Sequence, residues 1–95
     1  MIFLIKIFTY LNCKDCARHL KTLREYCSRT PANLEIIDVD DEKNLHLIFE
    51  YKIEFIPYTI CYDIRGNILH KISGVKTIEE FEDIVYYGIS DEESE

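Results

Sequence analysis

Cys13 and Cys16 are separated by two residues and stand where an apolar segment gives way to a helical pattern. Two thiols at this spacing can form a disulfide, exchange it with a partner or hold part of a metal site. A helix begins with unpaired backbone N–H groups and a partial positive charge, so a cysteine there is stabilised as the reactive thiolate. We therefore predict that Cys13 attacks a partner disulfide and that Cys16, one turn further in, resolves the mixed disulfide.

The metal alternative depends on His19, which would complete a ligand set with Cys13 and Cys16. A structural zinc site needs four ligands, and Cys27 and Cys61 form no second close pair. We therefore favour redox chemistry without a metal and expect His19 on the surface. A non-catalytic binding or metal-carrying module remains the alternative, and Cys27 and Cys61 are expected to be small core residues.

The residues around Cys13 modulate its chemistry. Lys14 favours a thiolate, whereas Asp15 opposes it, and the sequence leaves their net effect open. Asn12 and Lys14, which flank Cys13, are predicted to contact the substrate. A second unusual feature is Ile56-Pro57 directly before a predicted strand, because proline cannot donate a hydrogen bond to a sheet ladder.

The elements that would position these residues follow from hydrophobic periodicity and turn residues. We predict strands over 2–8, 34–39, 58–63 and 68–72, with helices beginning near Cys16, Leu45 and Ile78. The first helix is expected to bury one face, composed of Ala17, Leu20, Leu23 and Cys27. Because a strand–helix–strand start is parallel and the turn at 65–67 predicts a hairpin, we expect an α/β domain with helices on both faces of a four-stranded mixed sheet.

Composition excludes several classes of partner. The chain carries 11 basic against 18 acidic residues, a net charge of -7, and so lacks the cationic face that nucleic acid or an anionic membrane requires. No apolar segment approaches the roughly 18 residues that span a bilayer, and the apolar start lacks the features of a secretion signal. We predict a cytoplasmic monomer, with one domain over residues 1–88 and an acidic, disordered tail over 89–95.

The order of these features over residues 2–88 resembles the thioredoxin superfamily. Five features carry the likeness: Phe8-Thr9 before C-x-x-C, the strand end at 37–40, Ile56-Pro57 before a strand, the turn at 65–67, and Gly74 before the last helix. The resemblance implies that Pro57 is cis and faces the disulfide. It also implies that the Ile56 backbone pairs with an extended substrate segment, and the size is similar to that of a glutaredoxin or small redoxin.

Three departures from the family pattern refine this expectation. Asn12 precedes Cys13, and the tryptophan of the thioredoxin motif W-C-G-P-C is missing. Ile7 occupies the position of the buried thioredoxin acid, so water or Cys13 itself would take the Cys16 proton. Glutaredoxins carry a glycine pair and an acid to bind glutathione, whereas residues 72–76 read Ile-Ser-Gly-Val-Lys.

The function that the resemblance implies is that of a small dithiol-disulfide oxidoreductase acting on protein disulfides. It would use the Cys13–Cys16 disulfide as its redox group and would bind no separate cofactor. A reductase or glutathione would return the electrons. Glutathione-dependent activity of the glutaredoxin type is the alternative within the same chemistry.

Overall fold

The computed structural model of the chain describes residues 1–88. Its elements are β1 (Leu4–Thr9), α1 (Lys14–Arg29), β2 (Asn33–Asp38), a 3₁₀ turn (Glu42–Asn44) leading into α2 (Leu45–Glu50), β3 (Tyr58–Tyr62), β4 (Ile68–Ser73) and α3 (Ile78–Tyr87). The predicted order of elements is confirmed, and the predicted tail at 89–95 lies outside the described residues. None of the helices in residues 1–88 combines the length and apolar character that a bilayer span requires.

The four strands form one mixed sheet in the order β2-β1-β3-β4. β1 and β2 are parallel, and the β1–β3 and β3–β4 pairs are antiparallel, as the strand–helix–strand start and the hairpin predict. Thr9 lies beside Asp38, and Phe8 lies beside Tyr58. This register brings the loop that follows β1 and the segment that precedes β3 to the same end of the sheet.

Helices cover both faces of the sheet, as predicted. On one face, Ile5 and Ile7 of β1 join a buried cluster with Leu23 of α1 and Phe81 of α3. On the other face, Phe8 belongs to a second cluster against which α2 packs through residues 47 and 48. Burying an aliphatic or aromatic side chain of this kind stabilises the fold by about 1.5–3 kcal/mol. The sheet is therefore packed on both sides along β1, the strand that leads to the cysteines.

The buried face of α1 differs from the predicted one. Its buried members are Cys16, His19, Thr22, Leu23 and Tyr26, whereas Ala17 is exposed and Leu20 and Cys27 lie at the margin. The prediction followed apolar residue types alone. His19 and Thr22 are polar and are buried because their hydrogen bonds are satisfied. A prediction based on hydrophobic periodicity omits such residues, so the predicted face lies at a different angle around the helix from the observed one.

Two local signals at the ends of β4 and α3 behave as the sequence predicts. The Glu80 N–H donates to Thr77 Oγ1 and the Thr77 N–H donates to Glu80 Oε1, so a complete capping box starts α3. In the hairpin, Gly66 takes a positive φ of 86°. The Asp63 carboxylate accepts the N–H groups of Arg65 and Asn67, which closes the turn.

Candidate disulfide site

Cys13 caps the N-terminus of α1 with its sulfur. The Cys16 N–H donates to Cys13 Sγ at 3.1 Å, and the Ala17 N–H donates to the Cys13 carbonyl at 3.2 Å. The sulfur thus takes one of the N–H groups that a helix start leaves without a partner. It also lies at the positive end of the helix dipole, where negative charge on sulfur is stabilised.

A disulfide joins Cys13 and Cys16, whose Cα atoms are 5.2 Å apart. The predicted proximity of the two sulfurs is therefore confirmed. Cys16 is 3% exposed, whereas Cys13 is only half-buried. A partner sulfur can consequently reach the Cys13 side of the bond much more readily than the Cys16 side.

A tight turn leads into the disulfide. The Cys13 N–H donates to the Tyr10 carbonyl at 3.3 Å, and the Leu11 N–H donates to Asp40 Oδ2 at 3.4 Å. Asn12 has a φ of 65°, in the left-handed region that asparagine tolerates better than most residues. Asn12 therefore has a structural role in presenting Cys13, and its predicted contact with substrate stays a prediction.

Two substitutions at Asn12 test this structural role. Asn12→Val is expected to lower the free energy of unfolding by about 1–2 kcal/mol, because a β-branched side chain is strained at positive φ. Asn12→Gly should stay within about 1 kcal/mol of the wild type, because glycine adopts this conformation without strain. Urea unfolding of the oxidised proteins measures both changes, and equal stability of the two variants would contradict the turn assignment.

The cysteines open onto a shallow depression of about 370 Å³. Its lining comprises Thr9, Tyr10, Leu11, Asn12, Cys13, Cys16, Ala17, Leu20 and Asp38. Asp15 forms an exposed pair with Arg18 at 3.4 Å, whereas Lys14 forms no ion pair within residues 1–88. Because exposed pairs are weak, Arg18 neutralises Asp15 only slightly, and the net effect of Lys14 and Asp15 on Cys13 stays open.

The Ile56–Pro57 segment lies at the same end of the sheet as the disulfide. Its peptide bond is cis, Pro57 is fully buried, and the Pro57 carbonyl accepts the Gly74 N–H at 2.9 Å. Ile56 is half-buried, and its backbone N–H and C=O make no hydrogen bond within the described part of the chain. An extended segment could therefore pair with the Ile56 backbone without displacing an internal bond.

His19 is fully buried, so the predicted surface position is wrong. Its Nδ1 accepts the Lys76 N–H at 3.1 Å, and its Nε2 lies 2.9 Å from Thr59 Oγ1. Because Nδ1 must be the acceptor, the ring is neutral with its proton on Nε2, which donates to Thr59. Burial, aided by the nearby positive charge of Lys76, lowers the pKa of His19 to about 4.

These contacts leave His19 no free ring nitrogen to complete a ligand set with Cys13 and Cys16. Both ring nitrogens of His19 are engaged, and no group of three or more potential ligand side chains clusters anywhere in residues 1–88. Cys61 is fully buried, and burial raises its pKa to about 12. Cys27 is half-buried, and burial raises its pKa as well. Both belong to the packing around the α1 face, as predicted, and the raised pKa disfavours the nucleophilic thiolate in both.

Comparison with known proteins identifies the fold. No protein-family model and no curated protein matches the chain, but many solved structures do. The chain is similar to reduced desulfothioredoxin from Desulfovibrio vulgaris Hildenborough, with 22% identity, a TM-score of 0.75, and coverage of 94% of this chain and 83% of that one. It is also similar to the reduced Schistosoma mansoni thioredoxin pre-protein, with 21% identity and a TM-score of 0.72. That match covers 93% of this chain and 80% of the Schistosoma protein.

A third neighbour is a mutant thioredoxin from Halobacterium salinarum, with 19% identity and a TM-score of 0.75. The match covers 88% of this chain and 72% of that one. The mixed four-stranded sheet and its three helices agree with these neighbours. The chain therefore has the thioredoxin fold, as its ordered motifs predicted.

Proposed function

We propose that this chain is a small thiol-disulfide oxidoreductase that reduces disulfides in protein partners. One observation carries the proposal: the Cys13–Cys16 disulfide sits at the start of α1, with the Cys16 N–H donating to Cys13 Sγ. In the reduced protein, the same N–H and the helix dipole would stabilise a Cys13 thiolate. A stabilised thiolate at a half-buried position is the arrangement that attacks a disulfide.

The reaction proceeds through two exchanges of sulfur partners. The Cys13 thiolate attacks one sulfur of the partner disulfide, forms a mixed disulfide and releases the other partner sulfur as a thiolate. The Cys16 thiolate then attacks Cys13 Sγ, which releases the second partner thiolate and forms the Cys13–Cys16 disulfide. Two electrons pass from the dithiol to the partner, and the bond in the structure corresponds to the oxidised product.

The proton of Cys16 leaves without help from a buried carboxylate. Ile7, at the position where thioredoxins carry an acid, is fully buried in the apolar cluster under α1. We infer that water or the Cys13 sulfur accepts this proton, as the sequence suggests. Resolution of the mixed disulfide should therefore respond directly to the pKa of Cys16.

Protein disulfides suit the site better than glutathione does. The Gly74 N–H is already bonded to Pro57, and the N–H groups of Lys76 and Thr77 are bonded to His19 and Glu80. These donors of the β4–α3 loop are therefore occupied inside the protein. The backbone groups of Ile56, in contrast, make no hydrogen bond within residues 1–88, so they would be available to pair with an extended peptide.

The reductive direction requires a supply of electrons and a reducing compartment. A reductase or glutathione would restore the dithiol after each turnover, and the predicted cytoplasmic location fits this requirement. An assay with a thioredoxin reductase beside one with glutathione and its reductase distinguishes the two donors. The predicted monomeric state is tested separately, by the mass of the reduced protein in solution.

Trapping a mixed disulfide tests the proposed function directly. In Cys16→Ser, the resolving thiol is missing, so attack by Cys13 should leave the partner covalently attached. Incubation of the reduced variant with oxidised insulin should yield an adduct through Cys13, detected by intact mass and released by dithiothreitol. The wild type should form no lasting adduct and should release reduced insulin instead.

The matched control removes both thiols. Cys13→Ser/Cys16→Ser should form no adduct, even though Cys27 and Cys61 remain, because burial raises the pKa of both thiols and so disfavours the reactive thiolate. An adduct of equal yield in this double variant would place the reactive sulfur elsewhere. Absence of any adduct in folded Cys16→Ser would contradict the proposed reaction.

A further inference from the structure

His19 links three elements around the disulfide. It lies three residues after Cys16 on the same buried face of α1. Its Nε2 donates to Thr59 of β3, two residues after Pro57, and its Nδ1 accepts the N–H of Lys76 in the β4–α3 loop. One side chain thus connects the helix that carries the sulfurs to the strand and to the loop that frame Pro57.

A second side chain of α1 holds the same loop residue. Thr22 Oγ1 donates to the Lys76 carbonyl at 2.6 Å, while His19 accepts the Lys76 N–H at 3.1 Å. Both backbone polar groups of Lys76 are therefore bonded to α1, one helical turn apart. With its N–H and its C=O both held in this way, Lys76 cannot slide along the helix without breaking at least one bond.

The β4–α3 loop, which Lys76 belongs to, is also hydrogen-bonded to the segment before β3. Gly74 lies two residues before Lys76 in the same loop. Its N–H donates to the Pro57 carbonyl at 2.9 Å. Hydrogen bonds therefore tie α1 to Lys76 and Gly74 to Pro57, with the backbone of the loop between Gly74 and Lys76, and a second route leads through Thr59. Both routes connect α1, which carries Cys16 and is capped by Cys13, to the Ile56–Pro57 segment.

Apolar packing alone would not require these polar groups. An aliphatic residue of similar volume at position 19 would fill the core without the cost of burying an imidazole. A fully satisfied buried hydrogen-bond network instead specifies one geometry between the elements that it joins. Here those elements carry the reactive sulfurs on one side and the open Ile56 backbone on the other.

We propose that His19, assisted by Thr22, is a positioning residue that holds the Ile56–Pro57 segment in alignment with Cys13 for protein substrates. This inference rests on the proposed reduction of protein disulfides. A protein substrate must meet Cys13 and the Ile56 backbone at the same time, so it depends on their relative position. A small disulfide needs only the sulfur, so its reduction should not depend on His19.

The test compares two substrates in His19→Leu and Thr22→Val. Insulin is reduced with dithiothreitol as reductant, whereas the small disulfide is mixed with protein that has been reduced beforehand and freed of dithiothreitol, because dithiothreitol would reduce it directly. For insulin, KM should rise about tenfold in His19→Leu and about threefold in Thr22→Val, with kcat nearly unchanged. For dithiobis(nitrobenzoate), a small aromatic disulfide, the rate constant for its reaction with the pre-reduced protein should stay within about twofold of the wild type. His19→Gln, which can still donate to Thr59, should recover part of the loss for insulin.

Thr30→Val is the matched control for Thr22→Val. Thr30 also donates its hydroxyl to a backbone carbonyl, that of Tyr26, but it does so at the far end of α1. The control should be destabilised to a similar extent and should keep the wild-type KM for insulin. Urea unfolding of each variant separates a loss of stability from a loss of alignment.

The possible outcomes separate the two proposals. A wild-type KM for insulin in folded His19→Leu and Thr22→Val overturns the positioning role and leaves the proposed function intact. An equal loss of activity toward both substrates also overturns the positioning role, because the defect would then lie in the chemistry of the sulfurs. If His19→Leu fails to fold, Thr22→Val decides alone. A wild type that reduces neither substrate removes both proposals.

Discussion

Replacing Cys13 with serine is expected to lower the reduction of insulin disulfides by about 10³-fold or more, to the uncatalysed rate. The serine hydroxyl cannot form a mixed disulfide, and Cys16 is too deeply buried to attack in its place, at 3% exposed. The reduced variant should nevertheless fold as well as the reduced wild type. Serine is a favourable N-cap residue, so its Oγ can accept the Cys16 N–H that Cys13 Sγ accepts now.

The comparison that makes this prediction specific is Cys27→Ser. Cys27 lies on the same helix, is half-buried and forms no disulfide. Its replacement should leave the rate of insulin reduction within about twofold of the wild type. Activity is measured by insulin reduction under dithiothreitol, and folding by circular dichroism and urea unfolding. Substantial activity in folded Cys13→Ser would refute the assignment of Cys13 as nucleophile.

Much of the fold could be predicted because its strongest signals are local. The apolar run at 2–8, the glycine in the hairpin turn and the Thr77–Glu80 capping box each specify an element through its own residues, and the structure has all three. The parallel start and antiparallel hairpin then left few ways to build the sheet. The pairing of Cys13 with Cys16 was predictable for the same reason, since one helical turn joins them.

The errors concern contacts between residues distant in sequence. His19 was expected on the surface because histidine is polar, but its partners Thr59 and Lys76 lie 40 and 57 residues away. The residues near His19 in the sequence do not indicate that the fold will place a buried hydrogen-bond donor and acceptor beside it. The same omission moved the predicted face of α1 onto Ala17, which is exposed. One signal was available: His19 and Thr22 have the three-residue spacing of neighbours on one face of a helix, which indicates that both could be buried together.

The neutral state of His19 also makes the stability of the fold depend on pH. In the unfolded chain its pKa is the ordinary 6.5, whereas burial lowers the pKa in the folded protein to about 4. Below pH 6.5 the unfolded state therefore binds a proton that the folded state excludes. The free energy of unfolding is consequently highest above this pH and falls as the solution is acidified toward pH 4.

Each pKa unit of difference between the folded and unfolded states corresponds to about 1.4 kcal/mol. The decrease in the free energy of unfolding caused by His19 therefore approaches about 3 kcal/mol near pH 4. Urea unfolding of the oxidised protein between about pH 7 and pH 4.5 should show most of this decline. His70, whose pKa is lowered by partial burial, adds a smaller loss of the same sign. His19→Leu should therefore retain only a shallow pH dependence, and an equally steep decline in this variant would show that other groups cause it. Because burial is the main cause of the lowered pKa, the same titration reports on whether His19 stays buried between α1, β3 and the β4–α3 loop.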